Sequence, residues 1–318
     1  MNAPIAVNAL PIGTRLERYV IEEVLGVGGF GVTYLAEHEL LKKRFAIKEH
    51  FPPQFAVRDA ASGRLVPTDI GTFQWALDCF LREARMLARL RHPNIVAVSD
   101  VLEANHTGYM VLEYERGRSL NDWLRSLGRP PTQSELDTLI APLLAALSYI
   151  HACGLLHRDV APDNIILREG DGSPCLIDFG SAREAVANRS QTMSTVVKPG
   201  YSPPEQYARS GRAEGPWSDI YALAATLYRA VTRKPPAEAT ERQLLDELKP
   251  VSEMLDGQHG YRASFLAAID ASLRLNTDDR PQSVEQLWLK LTEQEAQQPS
   301  HLLERFYQRP TPETVRLN

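Results

Sequence analysis

Residues 157–167 read HRDVAPDNIIL, and residues 178–180 read DFG. Asn164 and Asp178 offer the hard oxygen atoms that a divalent magnesium ion takes as ligands. Asp159 offers a carboxylate that can orient a hydroxyl and accept its proton. Whether these three residues form one site depends on what stands around them.

The chain has 318 residues, enough to bury a substantial core. Its net charge of −5, from 35 Lys and Arg against 40 Asp and Glu, gives no reason to expect nucleic acid or an anionic membrane surface as a partner. Cys79, Cys153 and Cys175 are scattered and make neither a disulfide framework nor a zinc pattern, which fits a reducing cytoplasm. The first residues, MNAPIAVNALPIG, lack the basic and apolar regions of a secretory signal. Leu139–Leu156 is the most apolar long stretch. It holds Pro142, Ser148 and His151 and follows a capping box at Thr132 and Glu135, so it reads as a buried helix and not a membrane span.

Upstream, residues 19–36 alternate as two strands joined by a glycine-rich turn, and RFAIKEHF follows as a third. Pro52, Pro53, Gly63, Pro67 and Gly71 mark a long connection. Residues 72–90 carry helical periodicity through Phe73, Leu77, Phe80, Leu81, Ala84, Leu87 and Ala88. NIVAVSDVLEA and GYMVLEYE read as two more strands. After Gly117 helices dominate, near 119–127, 133–151, 218–232, 262–274 and 283–295, interrupted by short strands at IIL and CLID. The tail beyond Ala296 is polar and proline-punctuated; Leu302, Leu303, Phe306 and Tyr307 are the residues through which it would pack back.

The turn GVGGFG sets Gly26, Gly28 and Gly31 in the pattern G-x-G-x-x-G. A dinucleotide-binding turn shares it, but that turn opens a helix, whereas VTYLAEH after Gly31 reads as a strand. The alternatives that stand are a glycine hairpin over phosphates, its N–H groups as donors, and an ordinary hairpin. A lysine on a strand, such as Lys48, is usually a solvated charge. Paired with a glutamate on the helix beyond, Glu83, it can grip phosphate oxygens.

With these elements in order, the chain resembles the serine/threonine branch of the protein kinase family, in its bacterial, eukaryotic-like form. The motifs are GVGGFG, FAIK (45–48), Glu83, HRDVAPDN (157–164), DFG, SPPEQY (202–207), SDIYALAATLYRAVT (218–232) and RPQSV (280–284), spanning about Tyr19 to Thr292. The resemblance implies an α+β, two-lobed kinase fold. Its N-lobe (19–115) is an antiparallel sheet plus the αC helix, its C-lobe (116–292) is mainly helical, and 1–18 and 293–318 are extensions. It implies transfer of the γ-phosphoryl group of ATP to protein Ser or Thr hydroxyls, with Mg2+ (or Mn2+) held by Asn164 and Asp178 and with Asp159 as base. ATP would be held by Gly26, Val27, Gly28, Gly29, Phe30, Gly31, Thr33, Ala46, Lys48, the gatekeeper Leu112, the hinge residues Glu113 and Glu115, and Ile166. Leu87, Val98, His157 and Phe179 match the apolar spine of the family. Asp219 would hold the catalytic loop, Glu205 and Arg280 would form a buried ion pair, and Arg158 would answer an activation-loop phosphate on Ser190, Thr192, Ser194 or Thr195, aided by Arg183 or Arg189.

Two departures stand out. The interval from Lys48 to Glu83 is long for the family, and the surplus at 49–72 is either a docking place for a regulatory partner or a surface loop without function. The family's Ser/Thr members carry a lysine two residues after the catalytic aspartate; here it is Ala161, and Asp163 excludes the arginine rescue of tyrosine kinases. Lys198, at a position where the family usually has threonine facing that space, is the candidate replacement. The competing reading is a weak or inactive nucleotide-binding pseudokinase scaffold. No membrane segment, nucleic acid or named substrate is expected, and the chain would act in the cytoplasm on a protein.

Overall fold

The structure, a computed structural model, describes residues 9–29, 31–179, 197–207, 214–255 and 260–292. These fall into two compact units. The first holds the described residues up to Arg91 together with Val96–Glu115. The second holds His92–Ile95, residues 116–179 and the described residues from Val197 onward.

The first unit is built on a six-stranded sheet in the order β1-β2-β3-β4-β8-β7. Its strands are β1 (Arg15–Leu16), β2 (Tyr19–Gly28), β3 (Gly31–His38), β4 (Arg44–His50), β7 (Val98–Ala104) and β8 (Thr107–Glu113). Every pairing is antiparallel. The stretch before Tyr19 takes part, since β1 pairs with β2 and the Leu10 N–H donates to Tyr34 Oη at 3.0 Å. Strand β4 shows the period of two that puts alternate side chains on opposite faces: Phe45, Ile47 and Glu49 are buried, while Ala46 and Lys48 share the half-buried face.

Residues 51–69, read from sequence as a connection, contain a hairpin of β5 (Ala56–Arg58) and β6 (Leu65–Pro67). Three-residue strands are too short for periodicity to reveal. The turn is closed by Ser62, whose N–H and hydroxyl donate to Asp59 Oδ1 at 2.8 and 2.6 Å, and by Gly63 at φ +70°. Helix α1 (Ile70–Leu87) follows, capped by Asp69, which accepts from the Thr72 N–H at 3.0 Å. It begins two residues earlier than its periodicity indicates, and it buries Phe73, Ala76, Leu77, Phe80, Leu81, Glu83, Ala84 and Leu87.

In the second unit β9 (Gly117–Ser119), β10 (Ile165–Arg168) and β11 (Pro174–Leu176) form a small antiparallel sheet in the order β11-β10-β9. The helices are α2 (Leu120–Ser126), α3 (Gln133–Ala152), α4 (Pro204–Tyr207), α5 (Pro216–Thr232), α6 (Ala239–Leu244), α7 (Val251–Met254), α8 (Ala263–Ser272) and α9 (Val284–Thr292). The capping box opens α3: Glu135 accepts from the Thr132 N–H at 2.6 Å, and Thr132 Oγ1 accepts from the Glu135 N–H at 3.3 Å. A bidentate bond from Arg129, joined by these Thr132 contacts, pushes the Glu135 pKa down to about 2. Leu139, Ile140, Leu143, Leu144 and Leu147 of α3 are buried, as the apolar stretch requires. Among the described residues no helix is long and apolar enough to cross a membrane.

His50, at the end of β4, is wedged between Phe73 and Phe80 of α1, with ring centroids 5.5 and 5.4 Å away. Neither ring nitrogen has a hydrogen-bond partner. Burial, reinforced by Lys48, pushes its pKa from 6.5 down to about 3. The unfolded chain therefore takes up a proton that the folded chain refuses. This share of stability is complete above pH 6.5 and is lost as pH falls from there toward 3. At pH 5 the loss amounts to about 2 kcal/mol. Urea unfolding at pH 7 and pH 5 is expected to show a pH-dependent loss smaller by about that amount in His50→Leu than in wild type.

Candidate active site

In the first unit the sheet register gathers the candidate residues. Residues directly opposite each other in an antiparallel pair share a face. Gly26 stands opposite Thr33, Thr33 opposite Lys48, and Lys48 opposite Met110. Leu35, Ala46 and Leu112 make the next row. One face thus carries Gly26, Thr33, Ala46, Lys48 and Leu112. Val27 is exposed near the hairpin end, and Gly29 lies in the turn; Phe30 lies outside the described residues.

The glycines of the hairpin differ in kind. A Cβ at Gly31 would sit 2.0 Å from the Glu49 carbonyl oxygen, so packing alone demands glycine there. A Cβ at Gly26 meets nothing within 4 Å. Its freedom lies on the open side of the hairpin, where a backbone N–H can approach an anion.

Glu83 is 4 % exposed on the packed side of α1, an unusual place for a carboxylate. Glu113 ends β8, its N–H donating to Ala97 O at 2.9 Å, and its carboxylate meets Lys43 and Ser99 at the sheet edge. Glu115 closes the first unit.

In the second unit the loop 157–164 is suspended from Asp219, in the first turn of α5. Asp219 Oδ2 accepts from the His157 N–H at 2.9 Å, and Oδ1 accepts from the Arg158 N–H at 2.7 Å. His151 Nε2 lies 2.8 Å from Oδ2. Complete burial opposes ionisation of Asp219, but the His151 and backbone hydrogen bonds prevail and hold its pKa below the usual carboxylate value. Asn164 Nδ2 donates to Asp159 Oδ2 at 2.5 Å and to Asp159 O at 2.8 Å, locking the two residues together. The Ile177 N–H donates to Asn164 O at 2.9 Å, which brings Asp178 alongside. Phe179 packs on His157 with centroids 4.5 Å apart, and burial lowers the His157 pKa. Arg158 and Asp178 hold left-handed backbones, φ +66° and +61°, a strain that clusters at functional sites. Ile166, on β10, pairs with Ser119 and Cys175.

Lys198 Nζ lies 3.5 Å from Asp163 Oδ2, on the same loop as the fully buried Ala161. Asn121 Nδ2 holds the other oxygen of Asp163 at 2.6 Å. Arg158 Nε donates to Glu214 Oε2 at 2.8 Å, and Arg158 O accepts from Gln206 at 3.1 Å. Neither Glu214 nor Gln206 carries a role assigned from sequence. Gln206 stands within SPPEQY, where the assigned role falls on Glu205, and Glu214 precedes a Gly-Pro, which reads only as a helix start. Ser190, Thr192, Ser194 and Thr195 lie outside the described residues, with Arg183 and Arg189.

Glu205 and Arg280 meet as a fork with no exposed side-chain surface, at 2.7 and 3.1 Å. Ser218 Oγ donates to Glu205 at 2.7 Å. Arg280 also donates to the carbonyls of Arg274 and Leu275 at 2.6 and 3.0 Å and lies over the Tyr221 ring at 4.8 Å. Every demand of both charges is met, the condition under which a buried pair is tolerated.

The donor set at Asn164 and Asp178 suits a hard divalent cation that takes its remaining ligands from phosphate and water. No group of three His, Cys, Asp or Glu among the described residues could hold a metal by itself.

The sequence pattern of the protein kinase domain matches residues 19–288, and the chain belongs to that family. It is 32 % identical over 242 residues to serine/threonine-protein kinase D of Synechocystis sp., covering 73 % of this chain and 44 % of that protein. It is 35 % identical over 231 residues to serine/threonine-protein kinase PknA of Nostoc sp., covering 70 % and 38 %. The chain thus spans less than half the length of these relatives. Among solved structures, PpkA-294 in its apo form shares 35 % identity at a TM-score of 0.77, covering 89 % of this chain and 99 % of that one.

Truncating Arg280 to Met leaves Glu205 buried and uncompensated. Chemical denaturation is expected to show a loss of about 3–5 kcal/mol.

Proposed function

We propose that the chain is an ATP-dependent protein kinase that transfers the γ-phosphoryl group to serine or threonine hydroxyls, its own among them. The observation that carries this is the locked Asp159–Asn164 pair, hung from Asp219 with Asp178 alongside. Asp159 orients the attacking hydroxyl and accepts its proton. Asn164 and Asp178 hold Mg2+, for which Mn2+ can substitute; when bound, it neutralises charge on the phosphate oxygens. Lys48, aligned by Glu83, grips the α- and β-phosphates beneath the N–H groups of residues 26–31. Ala46 and Leu112 of the first unit are assigned to the adenine, with the backbone at Glu113 and Glu115 to its edge, and Ile166 of the second unit is assigned to it by the family pattern.

The γ-phosphate needs a cation that Ala161 does not supply. Lys198 supplies it: its ammonium lies 3.5 Å from Asp163 Oδ2, two residues along the same loop from Ala161. Autophosphorylation falls on Ser190, Thr192, Ser194 or Thr195. Arg158, now engaged by Glu214, exchanges that carboxylate for the phosphate. Val57, Val66 and Ile70 expose apolar surface on the outer side of the β5–β6 hairpin and the start of α1, where a regulatory protein would bind. The free cysteines fit the cytoplasm.

Intact mass of wild type and Asp178→Asn after incubation with ATP and magnesium tests the activity. Added phosphates on wild type alone are expected. Unchanged mass in both, together with no transfer to a generic basic protein, would favour a nucleotide-binding scaffold. Lys198→Met is expected to lower kcat by about 100-fold at nearly unchanged KM for ATP; a variant as fast as wild type rules out the replacement.

A further inference from the structure

Next to Lys48 on β4, Glu49 has a side chain with no exposed surface. Its Oε2 accepts from Tyr34 Oη at 2.7 Å and from Arg58 Nη2 at 2.6 Å, and its Oε1 accepts from Tyr109 Oη at 2.7 Å. Burial, with Glu49 adjacent, pushes both phenol pKa values up, so both hydroxyls remain donors. Arg58 belongs to the hairpin inserted between Lys48 and α1 and is 6 % exposed. Its Nη1 donates to Gly63 O at 2.8 Å in the hairpin turn, and its guanidinium lies over the Phe51 ring at 5.2 Å.

The hairpin is tied down on its other strand as well. The Leu65 N–H donates to Asn105 O at 2.9 Å, and Asn105 Nδ2 donates to Tyr109 Oη at 2.9 Å, which closes a circuit back to Glu49. The hairpin in turn fixes the start of α1. Phe55 O accepts from the Thr68 N–H at 2.8 Å, and the next residue, Asp69, caps the helix. Thr107 Oγ1 donates to His50 O at 2.5 Å, and the His50 ring packs on Phe73 and Phe80 of α1. A buried ion pair is seldom the most stable filling for a core, and its better-attested use is to fix one geometry.

We propose that Arg58 and Glu49 are positioning residues: their buried pair braces the inserted hairpin, and through it the start of α1, against the strand that carries Lys48. The helix bearing Glu83 is thereby registered on that strand from within the chain, a task that a separate partner would otherwise perform. The kinetic consequence rests on the kinase reading; the brace itself does not.

The test uses the full chain as wild type, Arg58→Met, Arg58→Lys and Glu49→Gln. Hydrogen exchange is followed at residues 70–87 and, as an internal reference, in α3 and α5. The kcat and the KM for ATP are measured on a generic basic protein. In Arg58→Met, amide exchange across α1 is expected to accelerate at least about tenfold with α3 and α5 unchanged, while kcat falls about tenfold. Arg58→Lys restores part of both. A folded Arg58→Met with wild-type exchange in α1 and with kcat and KM within about twofold of wild type overturns the brace. Should Arg58→Met fail to fold, Glu49→Gln, which keeps the shape of the side chain, decides by the same two readouts. Should wild type transfer no phosphate, the kinase reading fails and α1 exchange alone decides the brace.

Discussion

The geometry of the second unit hangs on one carboxylate. Asp219 has no contact with solvent, yet it stays ionised because three donors converge on it from the end of α3 and from the loop at 157–158. Its place is set by α5, a helix buried along nearly all its length, whose N-terminal end favours negative charge. From that fixed point the loop takes the left-handed turn at Arg158 and delivers Asp159 to Asn164. The residue before Asp219, Ser218, bonds Glu205, and Glu205 bonds Arg280. The loop at 157–164 and the segment after Lys198 are therefore referred to the same helix end. Loss of Asp219 would release the loop at 157–158, while the segment after Lys198 keeps its own anchor in the Glu205–Arg280 pair.

The first unit is organised differently. No single group holds it; the ladder register does. Alternation along β4 sends Lys48 to one face and Glu49 to the other. A slip of one residue in that strand would exchange them, burying the ammonium and exposing the carboxylate that the two tyrosines solvate. The Glu49 cluster and the close approach of Gly31 to the Glu49 carbonyl both make such a slip costly. The position of the lysine is guarded by what lies on the opposite face.

Much of this was legible in the sequence, for physical reasons. The α1 helix, the capping box of α3 and the strands of the main sheet follow from local periodicity and local hydrogen bonding. The motif residues follow from chemistry that few residue types can perform. Pairings that involve residues outside the motifs were not legible. The arginine at 58 is an ordinary hairpin residue until the fold lays it on Glu49, and Glu214 is an ordinary surface acid until it meets Arg158. The β5–β6 hairpin and β9 are three-residue strands held by partners, so their signal lies in the partners and not in themselves. Asp69 as the cap of α1 was visible in principle, standing three residues before the Thr72 that it bonds, but the periodic run alone pointed later.

Ala161 has no exposed surface, and this limits what the position can accept. A lysine placed at that position would have to thread an ammonium out of a packed interior, and overpacking a closed site distorts what surrounds it. Exchanging Ala161 for lysine therefore requires repacking around it, and not one substitution alone. The alanine acts as a one-way door: closed packing accepts the small side chain and resists a long cation.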